Sequence, residues 1–325
     1  GASCLLERTY RRVKYLGGEE APYIVAAKDQ LPLVLSHCGE EITEDRVIGE
    51  PVSRNTAAAI YWSALKIQKK LGDVVLAVFP ADHQISDEVK FRETMSAATA
   101  VCEKTGTIVV IGVKPRYIAT GFGYVERGKS VYEDELHYYK VRRFVEKPHR
   151  EKARRYLKKG TYYWNSGIFV LPLPEIFDLY NSHLPDFKEL FAPAAAAIGT
   201  EKEDELLAEA FAKVESISFD IGILEKAKEI SLVETAFPWD DVGTYNSLGA
   251  IIPPDDNGNI KSGNTILREV KNSVILGGDD LVAVIGVRDL AVVQDNGVVL
   301  VCPRKRVEEI KEIVALLIGE NDKYL

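Results

Sequence analysis

The feature that most restricts what this 325-residue chain can fold into is a repeated alternation of short apolar runs with longer amphipathic ones. "NTAAAIYWSALKIQKKLG" reads as a helix that begins near Thr56 and stops at Gly72. "DVVLAVF" follows as a strand, then a helix over about 88–104 with Phe91, Met95, Ala98 and Cys102 on its inward side, then the strand "TIVVIGV". Upstream, "PYIVAA" and "DRVIGEP" read as short strands. "LLERTYRRV" reads as an amphipathic helix capped by Ser3, with Leu5, Leu6, Tyr10 and Val13 inward. Alternation of this kind builds a parallel sheet with helices on both faces. The six apolar residues from Val74 to Phe79 are accordingly predicted to be a strand covered on both sides.

Further along, the pattern changes. "YYKVRRFV" alternates, and the basic helix "REKARRYLKKG" after it is most simply a solvated face. After "IIPPDDNGN", a turn or linker cluster, come "NTILREV", "NSVILGG", "LVAVIGV", "LAVVQD" and "GVVLVC", closed by a helix in "KRVEEIKEIVALL". This predicts an α/β domain over 1–252 and a small β-rich domain over 253–325, with no fixed-period repeat but room for a turn or two of β-helix.

The bulk numbers exclude several classes. A net charge of -8, from 41 basic and 49 acidic residues, argues against a nucleic-acid surface. No apolar run reaches the roughly 18 residues of a spanning helix, and no charged-then-apolar leader opens the chain. Cys4, Cys38, Cys102 and Cys302 form no C-x-x-C pair, and a chain with a core of its own has little need of disulfides. The expectation is a cytoplasmic protein that binds neither nucleic acid nor membrane.

Asp82 and His83 stand directly after the apolar run, and the carboxyl edge of an open α/β sheet is where ligands bind. An aspartate there also serves as an ordinary turn or helix cap. Other stretches have equally plain readings. "TGFGYV" fits a glycine turn needing positive φ. Glu146 and Lys147 of "FVEKP" fit an exposed pair before a helix-starting proline, and Trp164 fits core packing. Asp240 and Asp241 fit a helix cap.

In combination, "EPVSRNTAAAI", "FPADH", "TGFGYVERG", "VRRFVEKP", "WNSGIFV", "SFDIGILEKA", "WDDVGTY" and "VAVIGVRDLAVVQDNGVVLVC" resemble the short bacterial mannose-1-phosphate guanylyltransferases, also called GDP-mannose pyrophosphorylases, nearly end to end. The resemblance implies a Rossmann-like nucleotidyltransferase fold of GT-A type, a mixed sheet flanked by helices, with a small β-helix-like C-terminal domain. It implies guanylyl transfer from GTP to mannose 1-phosphate with release of pyrophosphate, supported by Mg2+ or another divalent cation, in a homodimer. Carried over residue by residue, Asp82 and Asp241 are metal ligands and, with Lys147, the catalytic set. Asn55, Thr56 and Asp82 meet the nucleotide, with free backbone N–H groups at the helix start. Gly123, Glu146, Lys147, Asn165 and Asp220 meet the sugar, with Trp164 as a wall. No general base is required, since the attacking phosphate is already ionised at neutral pH.

One family element has no counterpart in these residues: an N-terminal strand with a glycine-rich, arginine-bearing phosphate loop, for "LLERTYRRV" matches the helix that follows it. The chain as given is therefore expected to turn over poorly and to carry unpaired strand edges. Two other readings stay open: a non-catalytic paralogue that senses a sugar nucleotide, and a nucleotidyltransferase acting on another sugar 1-phosphate.

Overall fold

The computed structural model describes residues 4–18 and 20–319, so the expected cap Ser3 lies outside the described residues. The chain divides into two units, Gly1–Trp239 and Asp240–Leu325. In the first, α1 (Leu5–Val13), β1 (Ile24–Ala27), α2 (Leu31–Cys38), β2 (Val47–Glu50) and α3 (Asn55–Leu71) precede β3 (Val75–Val78), β4 (Gln84–Ile85), α4 (Glu88–Thr105) and β5 (Ile108–Val113). A hairpin of β6 (Tyr124–Glu133) and β7 (Leu136–Val145) is followed by α5 (Arg150–Lys159), β8 (Tyr162–Pro172), α6 (Leu173–His183), α7 (Asp186–Ala197), α8 (Glu203–Lys213) and β9 (Ile230–Glu234), and the two-residue β10 (Trp239–Asp240) falls on the division itself.

The main sheet has the order β3-β8-β5-β9-β7-β6. It is mixed: β5 and β9 run parallel, whereas β8 is antiparallel to β3, β5 and β6. The strand-helix alternation alone pointed to parallel strands. The long, continuous β8 and the β6–β7 hairpin reverse that expectation, because a hairpin can only return antiparallel.

Strand β5 sits in the middle with all six residues buried. Its side chains alternate: Ile108 and Val110 enter the core with Tyr61, Trp62, Tyr180, Phe187 and Phe191, and Val109 and Ile111 enter the core with Phe91, Met95, Ala98 and Cys102. A strand sandwiched between two helical layers must be apolar at every position, which is why "TIVVIGV" shows no alternation. Strand β3 also faces both cores, Leu76 and Val78 one way and Val75 and Ala77 the other, yet all four are only half-buried. The reason is its position at the end of the sheet, where β8 is its one strand partner among the described residues. Strands β1 and β2 pair with each other, in parallel, as a separate two-stranded sheet.

The second unit contains β11 (Ile260–Ser262), β12 (Thr265–Arg268), β13 (Val274–Leu276), β14 (Val282–Ile285), β15 (Leu290–Asp295), β16 (Val298–Pro303) and α9 (Ile310–Leu317). β11, β13 and β15 stack in parallel, as do β12 and β14, while β16 closes the stack antiparallel. Thr265 faces Val282 and Val274 faces Ala291, an advance of seventeen residues, whereas Ile260 faces Val274, an advance of fourteen, so no single period stands out in the sequence. Asn259 holds one corner, its amide donating to the Val270 carbonyl and its Oδ1 accepting from the Ser273 N–H. The division falls at 239/240, earlier than the expected 252/253, because Tyr245, Leu248 and Ile252 pack on Ile260, Val274, Ala291 and Val307 of the coil.

Candidate active site

Two places in the molecule hold the residues singled out above. The first is the turn after β3. Pro80 leaves the strand against Gly167 of β8, which adopts φ +72° and whose missing Cβ would stand 3.0 Å from the Pro80 ring. Beyond it Asp82 projects outward with 79% of its side chain exposed, its Oδ1 3.9 Å from His83 Nε2. His83 is occupied otherwise: its Nδ1 accepts the Trp239 indole N–H at 3.1 Å, and the rings meet edge-on at 5.3 Å. Asp82 is thus a carboxylate presented at a strand end, while His83 packs.

Asp240 and Asp241 lie in the second unit and cap no helix. Asp240 Oδ1 accepts from the Val242 N–H at 2.9 Å, and Asp241 Oδ1 from the Gly243 N–H at 3.2 Å, two successive turns that hold Val242 at φ +53°. Thr244 is the residue preceding the 3-10 helix Tyr245–Ala250. Among the described residues no three His, Cys, Asp or Glu side chains gather closely enough to hold a metal ion by themselves.

The second place is a cleft of about 530 Å³ lined by Asn55, Thr56, Glu146, Lys147, Ser218, Asp220, Ile221 and Glu225. Strand β8 braces it from behind, through Asn165 on Asp220. The Asn165-Ser166-Gly167 segment interrupts the pairing of β8 with β5, shifting the register between Val110 and Gly112. Ser166 Oγ donates to the Ile111 carbonyl and Asn165 Oδ1 accepts from the Gly167 N–H. A bulge of this kind re-aims a side chain, and here Asn165, buried, donates through Nδ2 to Asp220 Oδ1 at 2.7 Å. Gly123 does not have the positive φ that its turn suggested. Its role is absence of bulk: a Cβ there would lie 2.6 Å from Glu146 Oε2, 3.2 Å from Phe144 and 3.3 Å from Asn165.

Lys147 Nζ sits 3.0 Å from Glu146 Oε1 at the end of β7, and Lys147 has φ +37°, a left-handed conformation that a non-glycine residue adopts at a cost of about 1 kcal/mol or more. Three carboxylates, Glu146, Asp220 and Glu225, therefore face the cleft with one ammonium. Burial, and after it the nearby Glu146 charge, pushes the Asp220 carboxyl up to about 6.

The wall opposite corrects one expectation. Two N–H groups at the start of α3 are already engaged: the Thr56 N–H donates to Asn55 Oδ1, and the Ala57 N–H donates to the Ile217 carbonyl. Thr56 Oγ1 accepts from the Phe219 N–H at 2.8 Å. The exposed side chains of Asn55 and Thr56 still line the cleft, but the backbone is used to tie α3 to segment 217–220. Trp164 is a second correction. It is buried, with Tyr117 and Phe122 against it at 4.7 and 5.1 Å, and forms core beneath the site rather than a wall of it. Seven of the nine residues carried over thus meet in or directly behind one cleft. Asp82 and Asp241 do not line it.

The sequence reading missed Ser218, Ile221 and Glu225. Asp220–Leu224 forms a π turn, in which the Glu225 N–H donates to the Asp220 carbonyl at 2.9 Å, and this wide turn puts residues 220 and 225 on the same cleft. At about 100° per residue an α-helix would set them roughly 140° apart, so the helical periodicity of "SFDIGILEKA" points Glu225 elsewhere.

A mixed sheet between helical layers, with an acidic cleft at one strand end and a carboxylate at another, is the layout of an enzyme that handles polar ligands above a sheet edge. A family described as nucleotidyl transferase matches residues 2–256, and the description MannoseP isomerase/GMP-like beta-helix domain matches 263–317. The chain belongs to the nucleotidyl transferase family, within its mannose-1-phosphate guanylyltransferase branch. It is 32% identical over 321 residues to a mannose-1-phosphate guanylyltransferase of Klebsiella pneumoniae, covering 98% of this chain and 67% of that protein. It is 32% identical over 330 residues to one of Salmonella montevideo, covering 99% and 68%. A crystal structure titled mannose-1-phosphate geranyltransferase, from Thermus thermophilus, superimposes with a TM-score of 0.82 at 31% identity over 96% of this chain and 89% of the other. The chain spans about two thirds of the length of the two relatives.

Proposed function

We propose that this protein transfers a guanylyl group from GTP to mannose 1-phosphate, giving GDP-mannose and pyrophosphate. The observation that carries the reading is the convergence of Gly123, Glu146, Lys147, Asn165 and Asp220 around one cleft, from segments up to about a hundred residues apart. Ionised carboxylates accept hydrogen bonds and never donate, and sugar hydroxyls donate readily, so a cleft rich in carboxylates selects a polyhydroxylated ligand. A single ammonium at its rim suits one phosphate on that ligand. Gly123 lets the ring approach the backbone, and Glu146 and Asp220 fix its orientation.

Within this reading Lys147 leaves its ion pair with Glu146 to meet the sugar phosphate and aligns it for in-line attack on the α-phosphate of the nucleotide. The attacking oxygen is ionised already, so no side chain needs to remove a proton. Asp82 and Asp241 are the proposed ligands of a divalent cation, which when bound screens charge on the attacking and leaving oxygens. Their chemistry fits magnesium, which takes one or two carboxylates and completes its shell with substrate phosphates and water. In the assembled protein we further propose a homodimer.

The test is pyrophosphate release by the full-length product of the gene, across GTP, ATP and UTP and several sugar 1-phosphates. GTP with mannose 1-phosphate is expected to give the highest kcat/KM. A higher value for another pair reassigns the substrates, and tight sugar-nucleotide binding without turnover makes the protein a sensor.

A further inference from the structure

We infer that Glu225 is a positioning residue that holds Lys147 in its working conformation; this rests on the sugar-phosphate reading above. The Glu146 backbone N–H donates to Glu225 Oε1 at 2.8 Å, a bond that spans 79 positions in the chain. It falls on the N–H of the residue immediately before Lys147, whose φ of +37° a lysine does not adopt by preference. The next residue, Pro148, has no N–H with which to brace the turn. Glu225 is exposed and makes no salt bridge among the described residues, so neither burial nor charge pairing accounts for its placement. The π turn accounts for it: Asp220 at one end takes the Asn165 amide, and Glu225 at the other takes the Glu146 N–H. One short turn thereby grips both strands that supply sugar-side groups.

Charge and geometry make opposite predictions here. A carboxylate at the rim repels an incoming phosphate, so if Glu225 acted through its charge alone, both Glu225→Ala and Glu225→Gln would tighten sugar-phosphate binding. If it acts as an acceptor for the Glu146 N–H, glutamine keeps the carbonyl acceptor and alanine does not. The expected result is that Glu225→Ala lowers kcat/KM for the sugar 1-phosphate about tenfold, the loss of one hydrogen bond to a charged group. The KM for the nucleotide should not move, and Glu225→Gln should stay within about twofold of the parent. Hydrogen exchange of the Glu146 amide provides a readout independent of turnover: protection should fall in Glu225→Ala and persist in Glu225→Gln. Equal behaviour of the two variants, or an unchanged Glu146 exchange rate in Glu225→Ala, overturns the inference. A parent enzyme inactive on every sugar phosphate would instead overturn the functional reading, with the exchange experiment still deciding the role of Glu225.

Discussion

The cleft and the turn after β3 are built on different terms. In the cleft, nearly every polar group is tied to another before any ligand arrives: Asn165 to Asp220, Lys147 to Glu146, the Glu146 N–H to Glu225, Thr56 to the Phe219 N–H. At the turn, Asp82 stands 79% exposed with one neighbour at 3.9 Å. The difference teaches that the polar groups of the cleft are held in place by the protein itself, whereas the carboxylate after β3 is held by little but its own backbone. Pre-organisation raises affinity by removing ordering costs in advance. Under the proposed cation role, a prior partner on Asp82 would bring no gain, since the ion would have to displace it.

Four substitutions probe that contrast, beginning with the largest effect. Asp82→Asn should lower kcat by about 10³-fold, the several kcal/mol that a cation supplies to a phosphoryl transition state. Calorimetric affinity of the cleft for mannose 1-phosphate should hardly change; if it collapses with turnover, the two regions are not independent. Gly123→Ala should do the reverse, raising the KM for the sugar phosphate tenfold or more, because its Cβ would stand 2.6 Å from Glu146 Oε2. Overpacking of this kind also costs about 1–3 kcal/mol of stability, readable by urea unfolding.

Asp220→Asn should stabilise the fold while weakening sugar binding. The unfolded carboxyl titrates near 3.8 and the folded one at about 6. Between those values the folded state keeps a proton that the unfolded state has released, so stability falls as pH rises through the window, and above 6 the cost is complete. Asparagine carries no charge to bury and should recover about 1–3 kcal/mol at neutral pH and nothing below about pH 4. Equal melting temperatures for variant and parent at neutral pH would remove the raised carboxyl from the account. The smallest effect belongs to Thr56→Val, which takes away the acceptor of the Phe219 N–H and should cost about 1 kcal/mol in unfolding free energy. Its signature is a faster exchange of the Phe219 amide, with no change in the exchange of the Glu146 amide.

Much of the fold was legible because apolar spacing is a local property. The inward face of α4, Phe91, Met95, Ala98 and Cys102, is buried as the periodicity required, and Gly72 ends α3 with φ +77°. Family resemblance supplied the residues of the cleft, since motif residues keep their order whatever the spacing between them. Exposure was not legible. "TIVVIGV" and "DVVLAVF" look alike in sequence, yet one becomes the fully buried β5 and the other the half-buried terminal strand β3. Edge or centre depends on which strands pair, and pairing is not encoded in the run itself.

By itself, then, the sequence determined where helices and strands begin, that a larger α/β region precedes a β-rich one, and, through its motifs, five of the side chains that line the cleft. Tertiary structure alone decided the antiparallel course of β8, the burial of Trp164, the engagement of the Ala57 N–H and the Thr56 hydroxyl by segment 217–220, and the arrival of Glu225 beside Glu146. Each of these turns on a bond or contact between residues far apart in the chain or on a non-standard helical register. Local patterns of side-chain polarity record neither.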